Sequence, residues 1–367
     1  VNDFVEAEPF RSLGVSNKTA TIVLKKNEKT QYPVIYKKWY RCGTKTIDAN
    51  ETKEAVFSEK IKEKVLYASP IKEYHSPWLI ASLKDKEIFE KMVNWDRDSA
   101  YRARKGVDTS ANAIFWVKER KKVNSKLVFI NNSPERSRKG IKQICDFPIE
   151  KDILYPLLRG KDVKRWRYDL QYSIVLPYTC DGKVIAKEEL LSGYPNAFDY
   201  FFEERHSFSA ILRERATYQK LILKQDKDAP EYALYDIGKY TFSPYKVIWK
   251  ALHKGVCAVT VSKDAGRMII PDHNLLMIPL EDETEAYYLS GVLNADIVSR
   301  FVNAHVAWFI SGHILERIKI PKYSKDNKIH KEIADLSKKA HMEIDDEKMM
   351  GEIEIELDEK VETLLLK

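Results

Sequence analysis

The stretch "LYPLLRGKDVKRW", residues 154–166, sets Arg159, Lys161, Lys164 and Arg165 around Gly160 and Asp162, with leucines before and a tryptophan after. Cations crowded in this way suit phosphate oxygens, and arginine also suits the paired O6 and N7 acceptors of guanine. Such work needs a rigid mount, because a flexible cation loses rotamer freedom on binding. The residue types offer one. Gly160 is free to take the positive φ of a tight turn, and Asp162 is placed to cap the next few residues. Val163 and Trp166, three residues apart, would pin a short helical turn to the core. On this reading Arg159, Lys161, Lys164 and Arg165 are all forced outward. A capped surface turn would use the same residues.

A second group lies upstream. Arg102, Arg104 and Lys105 precede Gly106, which permits close backbone approach, and Thr109, Ser110 and Asn112 come after it. Arginine with guanine and asparagine with adenine are the major-groove pairings such a patch could use. Charge is partitioned along the chain. The whole chain carries 62 Lys and Arg against 55 Asp and Glu, net +7. Residues 101–170 alone hold 18 against 8, net +10, and residues 343–367 hold 3 against 10, net −7. The basic block is interleaved with Tyr101, Phe115, Trp116, Phe129, Tyr155, Trp166 and Tyr168. That pattern suits a polyanion, whose condensed counterions the cations displace, although an ordinary solvated face has the same composition.

Several chemistries lack their residues. None of the 13 glycines stands two positions from another, so no G-x-G or phosphate-cradling P-loop can be built. There is no Pro-Pro dipeptide, so the Asn-Pro-Pro-Tyr type of signature that holds a flipped adenine is missing. His253, His273, His305 and His313 have no ligand partners at metal spacing. Cys42, Cys145, Cys180 and Cys257 form no C-x-x-C pair, which fits reduced thiols in a cytoplasm. The longest apolar run, "FVNAHVAWFISGHIL", is too short and too polar for a membrane span, and no secretory signal is visible. A nuclease could be sought in Pro271-Asp272 with Asp326-Asn327-Lys328, or in Asp264, Asp272, Glu281, Asp282 and Glu283. "PDHN" reads more simply as a turn into the strand "LLMIPL".

The elements that must position these groups are set by periodicity. Residues 19–25 and 32–36 read as strands, and 51–66 as a connecting helix, with Val56, Phe57, Ile61, Val65 and Leu66 at helical spacing. Beyond Trp78 the pattern mixes a helix near 84–94 with strands at 113–118, 126–131, 172–176, 219–224, 246–251, 256–261 and 274–279. A helix over 283–302 comes next. From Lys325 the chain is helical, with Ile329, Ile333, Leu336 and Ala340 on one face, and a second helical piece begins after Gly351. There is no internal repeat.

"YPLLRGKDVKRW" resembles the motif that opens the TaqI-like C-terminal specificity region of N6-adenine DNA methyltransferases, especially fused type IIG restriction-modification enzymes. "ARKGVDTSANAIFWV" resembles the turn and strand that start the target-recognition region. "YYLSGVLNADIVSRFV" resembles the Leu-Asn helix shared with type I specificity subunits, and "ILERIKIPKYS" the strand after it. "EIEIELDEKVETLLLK" is similar to the acidic closing helix, and "VEAEPFRSLGVSNKTATIVLKKNEKTQYPVIY" to the last strands of a methyltransferase fold. The pieces fall in the family's order over most of the chain. Leu-Arg-Gly-Lys-Asp is the one that is specific by itself.

The expected fold is mixed α/β (α+β), with a twisted mixed sheet. Residues 1–75 end a methyltransferase-like domain and form a helical hinge, 76–324 form the DNA target-recognition domain, and 325–367 a C-terminal helical extension. A start on Val1 suits a piece of a longer polypeptide. The resemblance implies sequence-specific binding of double-stranded DNA for an adenine-specific methyltransferase in cis, with S-adenosylmethionine, and magnesium if the parent cleaves, used outside this chain. Arg159, Gly160, Lys161, Lys164 and Arg165 form one DNA-binding group, and Arg102, Arg104, Lys105, Thr109, Ser110 and Asn112 the other. No catalytic, cofactor or metal residue is assigned here. The alternative is a stand-alone metal-dependent nuclease. Lacking both the glycine loop and the adenine-holding signature, the chain alone is expected to leave adenosylmethionine unbound. Isothermal titration showing micromolar affinity would overturn that.

Overall fold

The computed structural model describes residues 1–14, 18–43, 46–48, 50–71, 76–93, 99–137, 140–251, 255–305 and 315–367. His253 and His313 lie outside them. The chain divides into two compact units: residues 1–97 with 300–307, and residues 98–299 with 308–365.

The first unit is a five-stranded sheet built from β1 (Asn2–Asp3), β2 (Ala20–Thr21), β3 (Val34–Arg41), β4 (Ile61–Pro70) and β5 (Trp78–Ala81), in the order β2-β1-β3-β4-β5. The long β3–β4 ladder pairs Val34 with Ala68 through to Arg41 with Ile61. Trp39 is its buried anchor, stacked on Phe4 at 6.0 Å and donating from Nε1 to Asn2 Oδ1 at 3.1 Å. Two expectations fail here. The apolar run 19–25 pairs only at Ala20–Thr21, and Ile22, Val23 and Leu24 stay 59%, 91% and 83% exposed, because no neighbouring strand takes up the rest. The helix expected over 51–66 stops at Lys60, where β4 begins. The helically spaced Val65 and Leu66 are instead held in the ladder opposite Lys37 and Tyr36, so sheet pairing overrides the periodicity. Helix α1 (Leu83–Met92) forms close to where expected, its first turn capped by Ser82, which accepts from the Asp85 amide at 3.0 Å. Phe89 of α1 meets Phe301 edge-on at 5.5 Å.

The second unit carries a six-stranded and a four-stranded sheet. Its strands are β6 (Arg104–Lys105), β7 (Trp116–Lys122), β8 (Leu127–Asn132), β9 (Phe147–Glu150), β10 (Leu154–Leu158), β11 (Val163–Lys164), β12 (Arg167–Tyr168), β13 (Tyr172–Val175), β14 (Tyr245–Lys250), β15 (Ala258–Val261), β16 (Lys263–Asp264), β17 (Arg267–Met268), β18 (Ile270–Pro271) and β19 (Leu275–Leu280). The larger sheet runs β18-β10-β13-β7-β8-β9 and is mixed, with β10 and β18 pairing in parallel. The smaller runs β15-β14-β19-β6 and is antiparallel, and β11–β12 and β16–β17 are separate hairpins. The mixed α/β class is therefore as read from the sequence. Two strand assignments are corrected. Residues 112–115 form a helical turn before β7, and 218–225 are helical, with Tyr218 and Ile222 buried one turn apart against Ala229 and Ala233. Short apolar runs do not by themselves distinguish strand from helix.

The helix expected over 283–302 is two helices, α2 (Glu283–Asn294) and α3 (Asp296–His305), broken at the extended Ala295. The break has a cause. The buried Asn294 side chain pairs with the backbone of Ala258 in β15, accepting from its N–H at 2.8 Å and donating to its carbonyl at 2.9 Å. Helix α4 (Lys328–Met342) packs on α2 so tightly that a Cβ on Gly291 would stand 2.9 Å from Ile333 Cγ2. Helix α5 (Glu347–Leu366) starts at the Asp346 cap and continues through Gly351 rather than beginning after it. Among the described residues no helix is long and apolar enough to cross a membrane. Asn294→Ala leaves the buried Ala258 amide without a partner and takes one of two donors from its carbonyl. It is expected to lower unfolding stability by about 1 to 3 kcal/mol in urea titrations.

Candidate nucleic-acid interface

Leu157 and Leu158, neighbours on β10, point into different cores, as successive strand residues must. The Arg-Gly-Lys-Asp turn leaves the sheet at this junction. Gly160–Asp162 is a single 3₁₀ turn, and β11 and β12 then form a hairpin, so the helical turn expected around Val163 and Trp166 is a β-turn structure. Both residues are buried anchors nonetheless. Gly160 does not have a positive φ. The left-handed residue of the stretch is Trp166, at 67°. What keeps position 160 small is Asn274, whose Cβ would lie 3.3 Å from an added Cβ.

Arg159 is not forced outward. It is 2% exposed, and its Nε and Nη2 donate to the two oxygens of Asp162 at 2.5 and 2.8 Å. Nη2 also donates to Gln171 Oε1 at 2.8 Å, and the guanidinium lies 4.1 Å from the Tyr172 ring centroid. The Asp162 side chain therefore clamps the preceding arginine instead of capping the residues after it. Lys161 and Lys164 are exposed as expected. Arg165 is half-buried, 3.1 Å from Glu354 of α5 and donating to the Asn294 carbonyl at 2.9 Å. The hairpin tip is fixed by Trp166, whose indole donates to Glu354 Oε1 at 2.9 Å and whose amide donates to the Ala258 carbonyl at 3.3 Å.

The second group is mostly turned on itself. Arg102 is exposed, Arg104 lies 5.3 Å over the Tyr240 ring and Lys105 is 4.0 Å from Asp236. Thr109 is buried and bonded to Asn112, while Ser110, at φ 47°, holds Thr217 Oγ1 at 2.5 Å and Asp108 at 3.0 Å. The close approach at Gly106 is made by the protein's own chain: a Cβ there would stand 2.1 Å from the Asp272 carbonyl oxygen.

Residues 271–274 join the two groups. Val107 bridges to Asp272 and donates to the Pro271 carbonyl at 2.9 Å, and the Asp272 amide donates to the Leu158 carbonyl at 2.9 Å. The Asp272 carboxylate accepts from the Asn274 amide at 3.0 Å, while burial pushes its carboxyl up. "PDHN" is thus the turn expected. Two cavities open beside it. One, of about 670 Å³, is walled by Ser110, Asn112, Arg136, Glu214, Arg215 and His273. The other, of about 430 Å³, is walled by Trp116, Arg136, Arg159, Lys161, Lys250 and Asp272. Arg136 belongs to both. Sequence reading missed Arg136, which sits in the charged run "SPERSRKG", and Lys250, which ends a strand with no signal around it. Tyr172 gathers Lys118, Arg136 and Arg159 around its ring at 5.2, 5.7 and 4.1 Å. Burial pushes its hydroxyl up, but the Arg136 hydrogen bond and the Lys118 charge outweigh that and hold it below its usual range. Among the described residues no three His, Cys, Asp or Glu side chains come together to hold a metal ion.

The chain is 24% identical over 238 residues to the type II methyltransferase M.NspV of Nostoc sp. (strain ATCC 29411 / PCC 7524), a match spanning 64% of this chain and 43% of that protein. Among solved structures it is similar to the type IIL restriction-modification enzyme MmeI in complex with DNA, with a TM-score of 0.47 and 9% identity, over 92% of this chain and 39% of that one. No family model matches. The chain thus spans less than half the length of either protein.

His341 of α4 braces the hairpin from the other side, its ring 5.3 Å from Trp166, and it accepts from the Thr260 amide at Nε2, 3.0 Å away. Burial pushes its imidazole down to about 4 from the ordinary 6.5. Below the ordinary value the unfolded chain takes up a proton that the folded chain refuses. Stability from this group is therefore complete above pH 6.5 and is lost as pH falls toward 4, by about 1.4 kcal/mol per unit at most. Urea titrations from pH 7 to 4 are expected to show a shallower decline for His341→Gln than for the natural chain.

Proposed function

We propose that this chain is the target-recognition part of an adenine-N6 DNA methyltransferase of the restriction-modification kind. It holds duplex DNA against the groove beside residues 271–274, reads a short sequence and presents an adenine to a methyltransferase domain in cis, in a cytoplasmic setting. The observation that carries the reading is the gathering of Arg136, Arg159, Lys161 and Lys250 around one acid, Asp272, in a chain similar to a type II methyltransferase. Adenosylmethionine, and magnesium if the parent cleaves, would be used by residues outside this chain. The exposed lysines suit phosphate neutralisation. A stand-alone nuclease is less well supported, since the Asp272 carboxylate is engaged by Asn274, and the Asn327 side chain caps α4.

Fluorescence anisotropy with duplex DNA across a salt series tests the reading. Lys161→Ala and Lys164→Ala are each expected to lower the log-log salt slope by about one and to weaken all duplexes alike. Arg165→Ala is expected to change the slope by less than one, because Glu354 already neutralises that guanidinium. Absence of duplex binding at low salt would overturn the reading.

A further inference from the structure

We infer that the 430 Å³ cavity behind Arg159 is a built site for one phosphate group, a reading that rests on the proposed DNA binding and narrows it to a single contact. Two of the residues that line it each carry a buried donor with no hydrogen-bond partner: Nη1 of Arg159 and Nε1 of Trp116. Buried donors are nearly always paired, so two orphans on residues that line one cavity point to an acceptor that belongs there.

The geometry around Arg159 singles out Nη1. The face of the guanidinium lies on Tyr172, Nε and Nη2 are held by Asp162, and Nη2 is shared with Gln171. Nη1 is the nitrogen left over. Trp116 opens β7, whose partner β13 includes Tyr172, so the indole stands on the sheet, and Arg159 stands at the start of the turn that directly follows β10. Around them Arg136, Lys161 and Lys250 bring further positive charge, and Asp272 and the Asp162 that clamps Arg159 are the opposing acids, for a formal balance of 4 − 2 = +2. A base edge offers two or three neutral acceptors in a plane and does not need that excess. A phosphate offers anionic oxygens pointing in several directions, toward donors that converge from several walls. The site differs in kind from the exposed lysines. An indole N–H carries no charge and releases no counterion, so its contribution to binding a polyanion is independent of salt.

The test uses the whole chain labelled with ¹⁵N-tryptophan, the Trp116 indole resonance being assigned by its loss in Trp116→Phe. Inorganic phosphate at millimolar concentration and a duplex DNA are the probes. Movement of that resonance with phosphate, reversed or replaced on adding duplex, supports the site and assigns a backbone phosphodiester as its source. Movement with duplex alone does the same. Movement with phosphate that duplex leaves untouched supports the site and assigns a free phosphomonoester. If the duplex binds by anisotropy while the resonance stays fixed with both probes, the inference is overturned and the DNA-binding reading stands. If no duplex binds at low salt but phosphate still moves the resonance, the DNA-binding reading falls and the site remains. If neither probe binds, both fall. In the anisotropy series Trp116→Phe is expected to weaken duplex binding roughly five- to tenfold, the loss of one charge-assisted hydrogen bond, at unchanged salt slope. Lys250→Gln is expected to lower the slope by about one. A change of slope in Trp116→Phe, or none in Lys250→Gln, counts against the site.

Discussion

A guanidinium that is 2% exposed has surrendered its hydration, and the interior must replace it. Arg159 finds that replacement within its own turn: Asp162, three residues on, meets it with both carboxylate oxygens, Gln171 takes a further hydrogen, and Tyr172 covers its face. The arrangement is local and two-pronged, the geometry in which a buried ion pair can offset its desolvation. Losing either partner would leave an uncompensated charge inside the protein, at a cost of about 3 to 5 kcal/mol. The turn between the two cores is therefore rigid before any ligand arrives, and the groove inherits that rigidity.

The rest of the basic surface is organised around this fixed charge by backbone rather than by side chains. Asp272 is tied by its amide to Leu158 and by the bridge to Val107, which fastens both basic segments to one four-residue turn. Gly106 and Gly160 are small because that turn passes beside them. The cations nearest the turn are the ordered ones, and the acidic helix α5 engages the far end of the hairpin through Glu354. The opposite charges at 101–170 and 343–367 thus partly neutralise each other.

The sequence was legible where chemistry is local. The mixed fold class, the turn at Pro271–Asn274 and the anchoring of Val163 and Trp166 are all written in residues within a few positions. It was misleading where the outcome depends on a distant partner. Arg159 reads as a surface cation until Tyr172 and Gln171 are folded against it, and nothing in "IWKAL" says that Lys250 faces Arg136 and Trp116 across a cavity. The run "TIVLK" has the composition of a strand and finds no neighbour for most of its length. Val65 and Leu66 are helically spaced on paper and are held in a strand by the β3 ladder. The break at Ala295 is dictated by Asn294 reaching a strand 36 residues away.

The clamp on Trp166 comes from Glu354, 188 residues further along the chain. A ribosome adding about 5 to 20 residues each second takes roughly ten to forty seconds to cover that distance. During that interval the nascent hairpin lacks the carboxylate that holds its indole and neutralises Arg165. The positive segment is thus most exposed to cellular polyanions while it is least ordered. Glu354 ends that period, so the acid that covers these cations is made long after them.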